Sequence, residues 1–187
     1  MPTLRTERLT LRPWTLDDLP SLMELCSNPE VMEHFPSTLN DEETKHFLQR
    51  LIDHHEKYGY SYFACELKDT GAIIGFIGLA YQTYDSPCTP AVDIGWRLLP
   101  SAWGKGYATE GAKACLEFAF QTLNLDEVVS VCTTTNIGSE KVMQRIGMTK
   151  RGSFEHPKLK DYPELQACLW YAAARSGESS DLVMGRI

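Results

Sequence analysis

The stretch from Ala91 to Phe120 constrains the fold more than any other part of the chain. An apolar run, Ala91 to Leu99, ends at Pro100 and is followed by a short loop carrying Gly104 and Gly106. Beyond the loop Ala108, Ala112, Cys115 and Ala119 recur at near-helical spacing, and Leu116 and Phe120 widen the apolar face. Strand, glycine loop and helix in that order aim unpaired amide N–H groups and the positive end of a helix dipole at one spot. Such a spot holds an anion. Glycine suits it because a side chain would keep the anion's oxygens from the backbone, and because the bend can require positive φ. Two nucleotide motifs use the same device and neither fits. The P-loop pattern G-x-x-x-x-G-K-[ST] is absent, and a dinucleotide fingerprint would need a small residue where Thr109 stands. Taken alone, the two glycines are equally consistent with a ligand-free turn.

Around this segment the chain alternates in type. Leu4 to Trp14 reads as one half-buried strand closed by Pro13, and Thr15-Leu16-Asp17-Asp18 as the start of a helix to about Cys26. A short helix is expected from Asn28-Pro29-Glu30, and a longer one from Asn40-Asp41-Glu42-Glu43 carrying Phe47, Leu48, Leu51 and Ile52. Ser61 to Leu67 and Ile73 to Tyr81 read as strands joined by a hairpin turn at Lys68-Asp69-Thr70-Gly71. After the main helix come a strand at Val128 to Thr133 and a short helix at Asn136 to Ile146 that Gly147 ends. Closing strands lie near Met148 to Phe154 and Leu165 to Tyr171. These elements predict an α+β fold with a central mixed sheet of about seven strands and about four or five helices. Residues 1–174 are expected to form a single domain and 175–187 a polar tail.

The net charge of −7 disfavours nucleic acid as a partner and mildly favours cationic ligands, although surface acidity also serves solubility. The six cysteines form no C-x-x-C pair and sit in apolar runs, as reduced core residues do. The opening MPTLRTERLTLRPW lacks an apolar h-region, and no later stretch offers about eighteen consecutive apolar residues, so a cytoplasmic protein without membrane attachment is expected. His54 and His55 are adjacent and point to different faces, and His34, His46 and His156 lack ligand-like companions, so no metal is expected.

Three groups of residues, taken jointly, carry a family resemblance. Asp93-Ile94-Gly95-Trp96-Arg97-Leu98-Leu99-Pro100 leads into Trp103 to Glu110; Asn136-x-x-Ser139 and Ile146-Gly147-Met148 follow; the opening Thr6-Glu7-Arg8-Leu9-Thr10-Leu11-Arg12-Pro13 precedes them. Together they resemble the GNAT N-acetyltransferases, and within them the ribosomal-protein alanine N-acetyltransferase branch. The resemblance spans roughly Leu4 to Tyr171. It implies a largely antiparallel mixed sheet whose fourth and fifth strands splay apart, here Ala91 to Leu99 and Val128 to Thr133, so that the pantetheine arm of acetyl-CoA lies between them. It implies cofactor contacts at Leu98, Leu99, Trp103, Gly104, Lys105, Gly106, Tyr107, Ala108, Thr109, Asn136 and Ser139. One departure stands out. Many relatives carry Arg or Gln where this chain has Trp103, which places the expected grip on backbone amides, with Lys105 available as a positive charge.

Acetyl transfer from a thioester needs a neutral amine, an oxyanion stabiliser and a proton for the leaving thiolate. The resemblance makes Asp93 the candidate base, since many relatives carry an acidic residue near the acceptor site on this strand, and burial beside Ile94 and Trp96 would raise its pKa; an acid on a strand face also needs no function, and contact with a substrate ammonium without proton transfer is a third option. Asn136 and Ser139 are the other catalytic candidates, with Ser139 near the sulfur, and Asn136 equally suits a helix N-cap. Glu110 complements a helix dipole. The acceptor is expected to touch His34, Phe35, Tyr81 and His156. The expected reaction is transfer of acetyl from acetyl-CoA to a primary amine, on a small molecule or a protein N-terminus, within a ternary complex formed by a monomer or homodimer. A non-catalytic acyl-CoA-binding module and a nucleotide enzyme are the alternatives.

Overall fold

A computed structural model describes residues 2–175. Eight strands form one sheet in the order β1-β2-β3-β4-β5-β6-β8-β7. They are β1 (Leu4–Arg5), β2 (Leu9–Arg12), β3 (Tyr62–Leu67), β4 (Ile73–Gln82), β5 (Ala91–Leu98), β6 (Glu127–Thr133), β7 (Thr149–Glu155) and β8 (Ala167–Ala174). Every neighbouring pair is antiparallel except β5 and β6, which run parallel. The helices are α1 (Leu19–Ser27), α2 (Asp41–Tyr58), α3 (Tyr107–Gln121), α4 (Ile137–Arg145) and α5 (Pro163–Gln166).

Most boundaries follow from local chemistry. Asn40 accepts the Glu43 N–H while the Glu43 carboxylate accepts the Asn40 N–H, a reciprocal cap that starts α2 where its acids predict. At its other end Gly59 takes φ 78° and turns the chain into β3. The Lys68 to Gly71 turn closes the β3–β4 hairpin, with the Gly71 N–H donating to the Leu67 carbonyl. Three expectations need correction. The first strand is two, because the Thr6 N–H and hydroxyl both turn back to the Leu9 carbonyl and interrupt the run. The helix expected at Asn28 is a series of turns, since the Asn28 side chain takes the N–H groups of Glu30 and Val31 and the turn does not propagate. A short helix, α5, occupies Pro163–Gln166, where the last strand was expected to begin. The predicted tail at 175–187 lies outside the described residues beyond Arg175.

The two sheet faces carry different cores. On one, α3 buries Ala112, Cys115, Leu116 and Ala119 with Ile77, Leu79, Ile94 and Leu98. On the other, Leu22, Leu25 and Cys26 of α1 and Leu48 and Leu51 of α2 close over Trp14, Ala64 and Phe76. Each fully buried Leu contributes about 2 kcal/mol by leaving water, so both layers hold β5 firmly between them. All six cysteines are free thiols and buried. Among the described residues, no helix is long and apolar enough to cross a membrane.

Candidate active site

The parallel pair β5 and β6 meets at one register, Asp93 opposite Val129, and the Ser130 hydroxyl donates to the Ile94 carbonyl at 2.8 Å. Beyond that point the strands part, so Gly95 to Leu98 have no strand partner on the β6 side. This is the splay the resemblance implies, at the two strands it implies. An unpaired strand edge inside a sheet offers backbone donors and acceptors to an extended ligand.

At the end of β5 the chain passes through Pro100–Ala102 into the glycine loop. Gly104 and Gly106 adopt φ 73° and 82°, the left-handed region where a Cβ is strained, which is why both positions carry glycine. Gly106 is the N-cap of α3 and no side chain caps the helix. The first intrahelical bond is Glu110 N–H to the Gly106 carbonyl, which leaves the amides of Tyr107, Ala108 and Thr109 without an intrahelical acceptor. Trp103 is half-exposed, and its indole N–H donates to the Leu98 carbonyl at 2.7 Å, pinning the loop to the end of the splayed strand.

Arg8 lies against the same loop. Its guanidinium donates to the Lys105 carbonyl at 3.0 Å, sits 4.5 Å from the centroid of the Tyr107 ring and bonds Glu110 through Nε at 2.7 Å. Glu110 also accepts from the Thr6 hydroxyl and the Arg8 N–H. Burial acts to raise the Glu110 pKa, but these donors outweigh it and hold the carboxyl below its usual range. The Thr6 to Arg8 signal stands in the sequence; what hides its role is a separation of 102 residues.

Asp93 occupies the last paired position before the splay. Its Oδ1 accepts the Tyr62 hydroxyl at 2.7 Å and its Oδ2 the Gln82 side-chain amide at 3.3 Å. Burial raises its pKa to about 6, with the bonds from Tyr62, Gln82 and the Ala80 N–H opposing part of the rise. The Tyr62 side chain can reach Asp93 because β5, the next strand but one from its own, carries glycine at 95. A Cβ on Gly95 would stand 3.1 Å from the Tyr62 ring, which stacks on Phe76 at 5.3 Å between centroids. Burial first, and Asp93 second, push the Tyr62 hydroxyl well above its ordinary pKa, so it stays a donor.

The other expected residues fall around this centre. The Asn136 side chain accepts the Ser139 N–H at 3.0 Å and caps α4, and its amide nitrogen is left for another partner. Ser139 is half-buried in the first turn of α4. His34 reaches the loop after β6, 3.5 Å from the Thr135 hydroxyl, and Phe35 lies over Arg97. His156 stacks on Tyr84 at 4.5 Å; Tyr84 lies close enough to Asp93 for that charge to raise its pKa, after the larger effect of burial. Tyr81 is placed apart from these. Alternation turns it to the face opposite Ala80, the residue paired with Asp93, and it packs beside Tyr58. Tyr62, Gln82, Tyr84, Arg8 and Arg97 were not singled out from the sequence, because each acts through a partner on another strand or loop.

The sequence profile of the acetyltransferase (GNAT) domain family matches residues 8–149. The uncharacterized N-acetyltransferase YnaD of Bacillus subtilis (strain 168) is 33% identical over 154 residues, covering 81% of this chain and 85% of that protein. The crystal structure of an acetyltransferase from Agrobacterium tumefaciens str. C58 is 31% identical with a TM-score of 0.75, covering 92% of this chain and 94% of that one. RimL, a ribosomal alpha-N-protein acetyltransferase solved in complex with coenzyme A, shares the fold at 20% identity and a TM-score of 0.74, over 92% of this chain and 98% of that one. With the splayed strands, the glycine loop and the profile in agreement, this chain belongs to the GNAT acetyltransferases.

Proposed function

We propose that this GNAT enzyme transfers the acetyl group of acetyl-CoA to an α-amine, a protein N-terminus or a small molecule bearing one. The observation that carries this reading is the parting of β5 and β6 directly after Asp93, with the uncapped N-terminus of α3 at the other end of the exposed strand edge. Those residues fit coenzyme A in kind. The amides of Gly106 to Thr109 suit a pyrophosphate, the free edge of Gly95 to Arg97 suits an extended amide-bearing arm, and Asn136 and Ser139 open α4 just after β6, the strand that parts from β5. Acetyl-CoA supplies an acetyl group already activated as a thioester. Solution of a coenzyme A complex in RimL, a protein of the same fold, supports the choice of cofactor.

The chain's own part is proton management. An incoming ammonium is drawn to the Asp93 carboxylate, which takes one proton from it directly or through a water and leaves the nitrogen lone pair free to attack. Ser139 is the hydroxyl available to donate to the departing sulfur. With Asp93 near pKa 6, the type of amine matters. Proton transfer from a peptide α-ammonium of pKa about 8 is uphill by roughly 3 kcal/mol, and from a lysine-like ammonium of pKa about 10.4 by roughly 6 kcal/mol. That difference favours the α-amine. A cytoplasmic location and the single domain over 1–174 belong to the same proposal.

The test is calorimetric titration with acetyl-CoA and with NAD, followed by thiol release against N-terminal peptides and small amines. Saturable acetyl-CoA binding with amine-dependent thiol release is expected. Binding without release for any amine would leave an acyl-CoA-binding module, and NAD binding in place of acetyl-CoA would sink both readings.

A further inference from the structure

Arg97 stands four residues along β5 from Asp93 and on the same face, with the Tyr62 ring over Gly95 as the floor between them. Aromatic rings surround its guanidinium, with centroids at 4.0 Å for Phe35, 5.1 Å for Phe76 and 5.8 Å for Phe47. Among the described residues its one polar contact is Cys26 Sγ, 3.6 Å away, and its Nε is buried with no hydrogen-bond partner. Arg12, also drawn inward, is bonded to both Asp18 and Glu66; Arg97 has no carboxylate partner among the described residues. A guanidinium does not shed its proton in a protein, so a half-buried charge stands here without a carboxylate partner among the described residues, and the ring faces offset its lost hydration only in part.

Arg97 also lines an open pocket of about 230 Å³, together with Phe35, Ser37, Phe47 and a second cation, Arg50. Arg50 is exposed, 5.4 Å from the Phe47 centroid. Two cations converging on one pocket, in a chain of net charge −7, is an arrangement that selects an anion. Four residue steps along the strand separate the Asp93 and Arg97 Cα atoms by about 13 Å, so the carboxylate of an ordinary α-amino acid lies too near its own amine to bridge them.

We propose that the acceptor carries a carboxylate several bonds from its amine, and that Arg97, with Arg50 beside it, binds that carboxylate while the amine lies at Asp93. This rests on the acetyl-transfer reading above and names the substrate class of that site.

Thiol release is measured for two matched pairs that each carry an α-amine, Ser-Ala-Asp-amide against Ser-Ala-Asn-amide, and α-aminoadipate 1-amide against the corresponding diamide. In the unmodified enzyme the carboxylate member of at least one pair shows a kcat/KM higher by about tenfold or more, and the pair that shows it identifies the source as peptide or small molecule. Arg97→Gln abolishes the preference by lowering kcat/KM for the acid while the carboxamide stays within about twofold. Arg50→Gln, at an exposed position, reduces the preference and serves if Arg97→Gln fails to fold. Equal kcat/KM within both pairs, or a preference that survives both substitutions, overturns the proposal. Absence of thiol release with every acceptor is instead failure of acetyl transfer. The anion site is then read by titrating the enzyme with acetyl-Ser-Ala-Asp-amide and its Asn counterpart. Tighter binding of the acid that Arg50→Gln weakens supports the site, and equal binding of the two overturns it.

Discussion

The Tyr62 hydroxyl donates to Asp93 Oδ1 at 2.7 Å, across a span of 31 residues, and does so at the last position where β5 and β6 are paired. The bond favours the ionised form of a carboxylate that burial would otherwise neutralise. Gln82 closes the triangle, donating to Asp93 Oδ2 and to the Tyr62 oxygen, each at 3.3 Å. A base kept near pKa 6 is ionised at neutral pH yet still basic enough to accept a proton.

Tyr62→Phe removes the shortest of these bonds and keeps the ring that packs on Phe76. Because the lost bond favoured the charged form, the Asp93 pKa rises. The acidic limb of the kcat/KM profile, expected at about 6 in the unmodified enzyme, moves to higher pH. A pH series on both proteins with one acceptor checks it; an unmoved limb would detach Tyr62 from the titrating group.

Asp93→Asn separates catalysis from stability. As the base, Asp93 is expected to account for roughly a hundredfold in kcat. Its folded pKa, about 6, lies above the unfolded value, so the folded state binds the proton more tightly and stability falls as pH rises from about 4 to about 6. Above that window the cost of keeping the buried charge is roughly 3 kcal/mol, which Asn does not incur. Melting at pH 8 should therefore be no lower in Asp93→Asn than in the unmodified protein while turnover collapses, with coenzyme A affinity unchanged. Full turnover would remove Asp93 from the mechanism.

Periodicity and turn chemistry made much of the fold legible. The apolar stripe of α3, the Asn40 cap and the Gly71 turn are local signals, and their elements lie within a few residues of expectation. The order β6-β8-β7 is not local, since nothing in either closing strand says which one pairs with β6. The site divides the same way. Gly104, Gly106 and Asp93 are visible because their type is unusual in their setting. Tyr62 and Arg97 read as ordinary strand residues until Gly95 opens the space for one and the rings from three other elements enclose the other.

Gly106→Val places a β-branched residue at φ 82°, where the cost is backbone strain, because the only atom a Cβ would approach is Arg8 Nη2 at 3.5 Å. Relieving the strain rotates the peptide units that present the α3 amides. Coenzyme A affinity measured by calorimetry should fall at least about tenfold, with a melting temperature lower by a few degrees. Gly59→Ala is the control, at φ 78° with open space around it and far from the loop. It should reproduce the thermal loss and spare the affinity.

Trp103→Phe tests whether the indole hydrogen bond to Leu98 substitutes for the Arg or Gln of many relatives. The substitution keeps an aromatic ring but deletes the donor together with part of the indole, leaving the Leu98 carbonyl to water at the point where the splayed strand enters the loop. A neutral bond of this kind is worth about 1 kcal/mol, so the melting temperature should change little. The effect belongs to the cofactor. A loop no longer pinned presents its amides in more than one arrangement, and coenzyme A affinity should drop by about fivefold. Trp103→Gln sharpens the test, since its side-chain amide is also a donor; it should recover part of the lost affinity if a donor at this position is what the loop needs. Equal affinity in Trp103→Phe and the unmodified enzyme would show that the two glycines and the α3 amides hold the loop without help from residue 103.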